Sequence, residues 1–201
     1  MTPLILGSSS PYRRELLERL RIPFVIDSPN INETALTDET ALDLCKRLSI
    51  AKAQAVAQRH PASWVIGSDQ VAVLDNKIYG KPGSHANAVA MLKELSGCTL
   101  QFHTALCLLD TQTQACQQDI VTIEAQFRVL DAAEIEHYLL VEKPYDCAGS
   151  AKSEGLGITL LERMTGDDPS ALVGLPLISL SKMLRNWGLR LPLVAQNLPA
   201  I

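Results

Sequence analysis

The sequence predicts an α/β protein, because short apolar strands and amphipathic helices alternate along it. Residues 4–6 form an apolar run typical of a buried strand, and the helix predicted from Pro11 to residue 20 carries leucines along one face. Residues 64–74 give the strongest strand pattern and are apolar on both sides. The 201 residues contain no repeat and no linker, so we expect a single domain over residues 1–201.

The composition argues against several classes of protein. A net charge of −4 is a poor match for extensive contact with nucleic acid. No apolar run approaches the roughly 18–20 residues of a membrane span, and the first residues lack the basic stretch and cleavable apolar core of a secretory signal, so we expect no membrane partner either. The five cysteines show no C-x-x-C spacing, which argues against a disulfide framework or a cysteine zinc site and suits the reducing cytoplasm.

A turn rich in small residues separates the first strand from the first helix. Gly7 is followed by three serines, beginning with Ser8, and Pro11 occupies the first helical position, where its missing N–H costs nothing. Free backbone N–H groups at a helix N-terminus, together with the helix dipole, favour binding of an anion. We therefore expect Ser8 and this turn to bind phosphate, although a simple serine-capped helix accounts for the same residues.

Two arginines lie in the first turn of this helix, where the dipole disfavours cations. Arg13 is spaced i, i+3, i+4, i+7 with the buried leucines, whereas Arg14 is placed to pair with Glu18 on the outer face. Arg13 is therefore a candidate phosphate ligand. A solvated arginine pair is the alternative.

Two charged side chains fall where apolar residues are expected. Lys52 lies on the apolar stripe of a helix that Thr37 or Asp38 is predicted to cap and that ends near His60. A lysine at such a position usually extends to the nearest water, and one directed into a cleft is the rarer case. Asp69 lies in the middle of the strongest predicted strand, where burial of a carboxylate is costly without cations or several donors. Asp69 is our first candidate for a chemical role, with hydrogen bonding to backbone amides as the structural alternative.

Two further charged residues lie in glycine-containing loops. Lys81 lies in the tight turn of residues 79–83, and Glu154 lies in the loop of residues 146–157, where small residues allow a ligand to approach closely. The remaining sequence predicts further strands and helices. Strands are predicted at residues 24–26, 99–109, 119–129 and 158–162. Helices are predicted from about residue 84 to before residue 97, from a capping box at residues 131–134 to before residue 144, and at about residues 177–187. A turn is predicted at residues 165–170 and a loosely held tail after residue 191.

Several short motifs, taken together and in their order along the chain, match the pattern of a known protein family. The matching positions are the stretch LILGSSSPYRRELL, Glu33, Lys52, Gly67-Ser68-Asp69, Gly80-Lys81-Pro82 and Val173-Gly174-Leu175-Pro176. The match extends over nearly the whole chain, and the combination in this order is much more specific than any one motif alone. The chain therefore resembles a Maf protein.

Maf proteins are nucleoside triphosphate pyrophosphatases, similar in fold to the enzymes that hydrolyse inosine triphosphate. The resemblance implies an elongated mixed sheet with flanking helices and two lobes around a central cleft, commonly in a homodimer. It also implies cleavage between the α- and β-phosphates with a divalent cation, magnesium or manganese. By position, Arg13, Lys52 and Lys81 would contact the phosphates. Glu33 and Asp69 would lie at the metal and the attacking water, with Asp69 as the catalytic proton acceptor.

The sequence departs from the common Maf pattern at three positions, which we treat as candidates for substrate specificity. Tyr12 replaces the first arginine of the S-P-R-R signature, Gln70 stands where a threonine often follows the aspartate, and Glu154 replaces a glutamine. Together these residues resemble the branch of the family that prefers 7-methyl-GTP over dTTP and UTP. Surface variation unrelated to the base is the alternative explanation.

The sequence thus leads us to expect hydrolysis of 7-methyl-GTP to 7-methyl-GMP and pyrophosphate, a house-cleaning activity against modified nucleotides. One alternative is the same chemistry on dTTP and UTP or on a broad range of nucleotides. A second alternative, of another class, is a non-catalytic nucleotide-binding regulator of cell division. A costly buried carboxylate at Asp69 argues against the regulator, because a binding protein gains little from it.

Overall fold

The computed structural model of the protein describes residues 1–193 and confirms the predicted α/β class. The predicted tail after residue 191 lies mostly outside this described part. The described residues form seven strands in one sheet and five α-helices, joined in places by 3-10 turns. The strands are β1 (Leu4–Gly7), β2 (Val25–Asp27), β3 (Trp64–Leu74), β4 (Lys77–Tyr79), β5 (Thr99–Asp110), β6 (Cys116–Phe127) and β7 (Leu161–Thr165), and the helices are α1 (Pro11–Glu18), α2 (Ala41–Ala57), α3 (His85–Leu95), α4 (Ala132–Glu142) and α5 (Leu177–Asn186).

The sheet is mixed, as the family resemblance implies. Its strand order is β2-β1-β3-β5-β6-β7, and the short β4 pairs with the far end of β3. β1 runs parallel to β2 and β3, whereas β3, β5, β6 and β7 pair with one another antiparallel. Strands β3, β5 and β6 are 11 or 12 residues long, so they extend from one group of helices to the other.

Two groups of helices pack on different parts of these long strands. In the first group, α1 and α5 cover one face of β1 and β3 through leucines such as Leu17 and Leu180, and α2 covers the opposite face through Ala53 and Val56. In the second group, α3 and α4 pack around a core that includes Phe102. Successive strand residues point to opposite faces, so β1 and the first half of β3 are buried on both sides, in keeping with their unbroken apolar sequence. Among residues 1–193, no helix has both the length and the apolarity needed to cross a membrane.

Helix α2 lies in direct contact with the backbone of the sheet at a pair of glycines. Gly7 of β1 and Gly67 of β3 face each other in register. A Cβ atom added to Gly67 would lie 2.1 Å from the carbonyl oxygen of Ser49 in α2, and one added to Gly7 would lie 3.4 Å from that of Lys52. The absence of side chains at these two positions lets the helix approach closely and brings Lys52 over the strand.

One edge of β3 lacks a strand partner over its central residues. β1 pairs with β3 only as far as Gly67, and β4 pairs with it only from residue 72 onward. In the described pairing, residues 68–71 therefore bond to β5 on one side only. The open side faces the carboxyl end of β1, the position at which α/β sheets commonly bind ligands.

The N-terminal boundary of α2 was predicted wrongly. Thr40, rather than Thr37 or Asp38, caps the helix, and its hydroxyl accepts a hydrogen bond from the Asp43 N–H at 3.1 Å. Asp38 has a φ of 59°, which places it in a turn before the helix. Several serine, threonine and aspartate residues precede α2, and the position of this turn determines which of them caps the helix.

The hairpin that forms β4 was not predicted. Asp75 and Asn76 both have positive φ values, as a two-residue type I′ turn requires, and they return the chain antiparallel to β3. The strand predicted at residues 158–162 was also wrong in its position. A 3-10 turn, Leu156–Leu160, occupies these residues, because the Leu156 N–H bonds to Glu142 and the Thr159 hydroxyl donates to the Leu156 carbonyl. Pairing of β7 with β6 starts at Leu161.

Two other boundaries can be compared with the sequence. The strand predicted at residues 119–129 lies at Cys116–Phe127, which shortens the hairpin loop before it. The capping box predicted for α4 is confirmed, since Asp131 and Glu134 each accept a hydrogen bond from the other's backbone N–H.

The close packing of α2 predicts that Gly67→Ala destabilises the fold. The added Cβ would overlap backbone atoms of α2, and overpacking of this kind costs roughly 1–3 kcal/mol or more in the free energy of unfolding. Urea unfolding measures the loss. Gly80→Ala is the matched control, because no atom lies within 4 Å of the Cβ position at Gly80 and its φ is not positive. Equal stability of the two variants would contradict the proposed role of Gly67.

Candidate active site

A cleft of about 290 Å³ opens at the unpaired edge of β3. All nine residues proposed from the sequence line it, although they come from six separate segments of the chain. These residues are Ser8, Tyr12, Arg13, Glu33, Lys52, Asp69, Gln70, Lys81 and Glu154. The structure therefore brings every candidate into one site, and the role of each remains a proposal.

Lys52 and Asp69 form a buried ion pair at the base of the cleft. The Lys52 ammonium lies 2.6 Å from Asp69 Oδ1 and 3.0 Å from Glu33 Oε1. Lys52 and Asp69 are each only 5% exposed, whereas Glu33 extends from an exposed loop. Lys52 is thus the rarer case of a lysine on an apolar stripe, since its charged end is directed into the cleft rather than to the outer surface.

The environment of Asp69 raises the pKa of its carboxyl group above the ordinary value. Burial is the main cause, and the neighbouring Lys52 and Arg13 cations oppose the shift. A raised pKa brings a carboxylate closer to the range in which it accepts protons efficiently near neutral pH. Asp69 is therefore a buried carboxylate beside a cation, and its pKa is shifted upward, toward neutral pH.

The two arginines of α1 are directed as the helix phase predicted. Arg13 Nε donates to the Gly174 carbonyl at 2.8 Å, and its guanidinium lies 3.5 Å from the Ser8 hydroxyl. Arg14 pairs instead with Glu18 at 2.8 Å on the exposed face. Burial lowers the pKa of Arg13, but a guanidinium keeps its proton throughout the physiological range. Arg13 therefore presents a permanent positive charge to the cleft.

The serine turn after β1 caps the helix and also lines the cleft. Ser10 caps α1, because its hydroxyl accepts from the Arg13 N–H at 3.4 Å. Ser8 is buried at the lining of the cleft, and its hydroxyl accepts from the Ser10 N–H at 3.1 Å. The cap stabilises the helix and also holds Ser8 beside Arg13.

The residues on either side of Asp69 hold the opposite wall of the cleft. The Ser68 hydroxyl lies 2.9 Å from the Gly174 carbonyl, and the Gln70 amide donates to the carbonyls of Ala171 and Leu172 at 2.8 and 2.9 Å. Both side chains thus anchor the segment that contains the 3-10 turn Pro169–Val173. Gln70 lines the cleft while its amide nitrogen is engaged in these bonds.

Sequence reasoning missed Asp168, which is buried and ties the same wall to α5. Its carboxylate accepts from the Ser170 N–H and hydroxyl and, at 2.7 Å, from the Ile178 N–H. The sequence around Asp168 indicates only a local role, because an aspartate before a proline and a serine is typical of a capped turn. The aspartate's second partner, in α5, is visible only in the folded chain.

The far end of the cleft is formed by Tyr12 and the loop of residues 146–157. The Tyr12 hydroxyl lies 3.3 Å from Asp146 Oδ2, and Cys147 Sγ lies 3.8 Å from the same hydroxyl. Lys152 Nζ lies 5.9 Å from the centroid of the Tyr12 ring. Glu154 is exposed and lines the cleft on this loop.

The loop that carries Glu154 is held to α4 by several bonds. The Tyr138 hydroxyl bonds to the Ser150 carbonyl at 3.0 Å and to the Lys152 N–H at 3.1 Å. Glu142 pairs with the Lys152 ammonium at 2.7 Å and accepts from the Leu156 N–H. These contacts define the loop conformation without using the carboxylates that face the cleft.

The carboxylates of the cleft give a limited donor set for a metal. Within residues 1–193, no group of three or more histidine, cysteine, aspartate or glutamate side chains is arranged to hold an ion. Glu33 and Asp69 both reach the Lys52 ammonium, so their oxygens converge on one region. Two carboxylates suit magnesium or manganese when waters and phosphate oxygens supply the remaining ligands.

The family model of the Maf-like proteins matches residues 3–187, so the chain belongs to this family and the predicted resemblance is confirmed. A relative from Cupriavidus metallidurans, named 7-methyl-GTP pyrophosphatase, is 57% identical over 92% of this chain and 93% of its own length. A relative of the same name from Pseudomonas fluorescens is 53% identical over 96% of this chain and 100% of its own length. Among solved structures, the Staphylococcus aureus Ham1 protein is 14% identical with a TM-score of 0.46, over 62% of this chain and 71% of that one.

The orientation of α1 predicts different effects for its two arginines. Arg13→Ala should weaken binding of a nucleoside triphosphate by roughly 1.5–3 kcal/mol, the scale of a hydrogen bond to a charged group. Arg14→Ala is the matched control and should change binding by no more than about 0.5 kcal/mol, because its pair with Glu18 is exposed. Titration calorimetry measures both affinities, and thermal unfolding checks that each variant is folded. Equal losses would show that Arg13 has no special role at the phosphates.

Proposed function

We propose that this protein is a nucleoside triphosphate pyrophosphatase that hydrolyses 7-methyl-GTP to 7-methyl-GMP and pyrophosphate. The observation that carries the proposal is the buried contact of Lys52 with Asp69 in a cleft that Arg13 and Lys81 also line. A buried ion pair adds little net stability, so its place in a polar cleft favours a chemical role. Relatives that bear this enzyme name over nearly the same length support the same reaction.

The cations of the cleft suit a polyphosphate. Arg13 is fixed by its bond to Gly174, Lys52 is buried, and Lys81 is an exposed lysine at the lining. Phosphoryl transfer depends mainly on positioning and on neutralising the charge of the phosphate oxygens. We assign Arg13, Lys52 and Lys81 to the phosphates, together with the Ser8 turn, whose backbone lies at the N-terminus of α1.

Asp69 is the proposed proton acceptor. Its carboxylate removes a proton from a water molecule as the water oxygen forms a bond to the α-phosphorus. The bond from that phosphorus to the bridging oxygen breaks, and pyrophosphate leaves with the bonding electron pair. The raised pKa of Asp69 favours this proton transfer, and Lys52 at 2.6 Å keeps the carboxylate directed into the cleft.

The donor set fits a divalent cation held by Glu33 and Asp69 together with substrate oxygens. When bound, magnesium or manganese would neutralise phosphate charge and polarise the scissile linkage. The carboxylates are hard oxygen ligands, as these ions prefer, and exposed Glu33 is free to adjust its position. Lys52 lies between the two carboxylates, so it supplies positive charge to the same region of the cleft.

The base is proposed to bind where Tyr12, Gln70 and Glu154 line the cleft. Methylation at N7 makes guanine cationic, so a carboxylate at Glu154 favours it and an arginine at residue 12 would repel it. The Glu154 carboxylate is also able to accept from the N1–H and the exocyclic amine of guanine. Gln70 contributes indirectly, because its amide fixes the wall at residues 171–172.

We propose a cytoplasmic homodimer as the working state. The resemblance to Maf proteins supports the dimer, and the five cysteines, all free, suit a reducing compartment. Light scattering measures the mass in solution, and the dimer proposal fails if only monomer is present at working concentrations.

The first test is a panel of normal and modified nucleoside triphosphates with magnesium or manganese. The wild-type protein should release pyrophosphate rather than phosphate and should prefer 7-methyl-GTP. Asp69→Asn should lower turnover by about 10²-fold or more, the range of a lost general base, and should still bind nucleotide. Near-wild-type turnover in this variant would remove Asp69 from the mechanism.

A matched control for the removal of one negative charge is Asp167→Asn. Asp167 is exposed and does not line the cleft, so turnover should stay near that of the wild type. Thermal unfolding of both variants separates a chemical defect from a folding defect.

The base preference is tested by restoring the common family residues. The triple change Tyr12→Arg, Gln70→Thr and Glu154→Gln should lower activity on 7-methyl-GTP and raise it on dTTP or UTP. Glu154→Gln alone should reduce activity on 7-methyl-GTP more than activity on GTP. An unchanged order of preference in the triple variant would contradict the assignment of these residues to specificity.

A further inference from the structure

The cleft is lined by three cations and four carboxylates, and the carboxylates form two groups. Glu33 and Asp69 contact the Lys52 ammonium, whereas Asp146 and Glu154 lie on the loop of residues 146–157. The ion pairs among residues 1–193 include neither of these two carboxylates. The end of the cleft formed by this loop therefore has a negative charge that no ion pair neutralises.

Lys152 is the cation that this loop itself carries, and it forms an ion pair with Glu142. Its ammonium lies 2.7 Å from Glu142, which is itself fixed by the Leu156 N–H. Lys152 also lies 5.9 Å from the centre of the Tyr12 ring. With Lys152 balanced by Glu142, the carboxylates of Asp146 and Glu154 remain in excess.

Asp146 also makes a direct contact with a residue assigned to the base. The Tyr12 hydroxyl lies 3.3 Å from one oxygen of the Asp146 carboxylate and 3.5 Å from the other. Burial, with Cys147 and Asp146 beside it, raises the pKa of Tyr12, so the hydroxyl keeps its proton and donates a hydrogen bond to the carboxylate. Asp146 therefore restrains the orientation of the Tyr12 ring in the cleft.

We propose that Asp146 is a further specificity-determining residue, which with Glu154 makes the base end of the cleft selective for a cationic purine. The inference rests on the proposed function and extends it to a residue outside the three departures from the family pattern. A cationic base gains favourable Coulomb energy from both carboxylates, whereas neutral guanine does not. Both charges are exposed, so the selectivity depends on ionic strength.

A purely structural role does not account for Asp146. The loop conformation is held by Tyr138 and Glu142 through bonds that do not involve the Asp146 side chain. The Asp146 carboxylate is exposed at the lining of the cleft, and its hydrogen-bonding contacts are with Tyr12 and Cys147. Its charge is therefore available to a ligand.

The test compares kcat/KM for 7-methyl-GTP and GTP in the wild type and in Asp146→Asn. The asparagine retains an acceptor for Tyr12 but removes the charge, so the ratio of the two values should fall about fivefold, as expected when one of two nearby unit charges is lost in water. Mildly acidic buffer keeps the methylated base cationic, because N7 methylation acidifies its N1–H. Rising salt should reduce the wild-type ratio more than the ratio of the double variant Asp146→Asn, Glu154→Gln.

Glu162→Gln is the matched control, because it removes one negative charge from exposed β7 outside the cleft and should leave the ratio unchanged. An equal loss on both substrates in Asp146→Asn, or an unchanged ratio, overturns the proposal. Calorimetric binding of the two nucleotides in an Asp69→Asn background gives the same comparison without turnover. If the wild type releases no pyrophosphate from 7-methyl-GTP, the proposed function fails, whereas an unchanged ratio of affinities in this background overturns the role of Asp146 alone.

Discussion

The site depends on the contact of α2 with the backbone of the sheet at Gly7 and Gly67. Because neither residue has a side chain, the helix axis lies close enough to β3 for Lys52 to meet Asp69 at 2.6 Å. A larger residue at Gly67 would move the helix away, and the lysine would then lie over a carboxylate that it cannot reach. The contact of Lys52 with Asp69 is thus a consequence of packing between a helix and a strand.

Burial of the Lys52 and Asp69 pair has an energetic cost that the fold limits in two ways. Removing two charges from water is unfavourable, and their attraction offsets this cost only with good geometry. Glu33 gives the ammonium a second partner at 3.0 Å from an exposed loop, and the charge of Arg13 favours the ionised form of Asp69. The pair is therefore held at the edge of the solvent, where the carboxylate is desolvated and still accessible to a ligand.

Sequence reasoning singled out three charged residues of the site because each one violated a local rule, whereas Glu33 was assigned only through the resemblance to the Maf proteins. Arg13 lies at a position that the helix dipole disfavours, and Lys52 and Asp69 lie where periodicity predicts apolar residues. What periodicity could not provide was the partner of each residue. Ser68, for example, bonds to a carbonyl 106 residues later in the chain, and no local pattern encodes that distance. Asp168 was missed for the same reason, since its second partner lies in α5.

Two parts of the fold, each held by its own contacts, contribute residues to the cleft. One part consists of β1, α1, α2 and β3, whose packing is fixed by the glycine contact and by the anchoring of Gly174. The other is the loop after α4, which is tied to that helix through Tyr138 and Glu142. A substitution at Asp146 or Glu154 changes an exposed charge without disturbing either anchor. Under the proposed function, a change of charge at either residue would therefore alter recognition of the base and leave the contact of Lys52 with Asp69 in place.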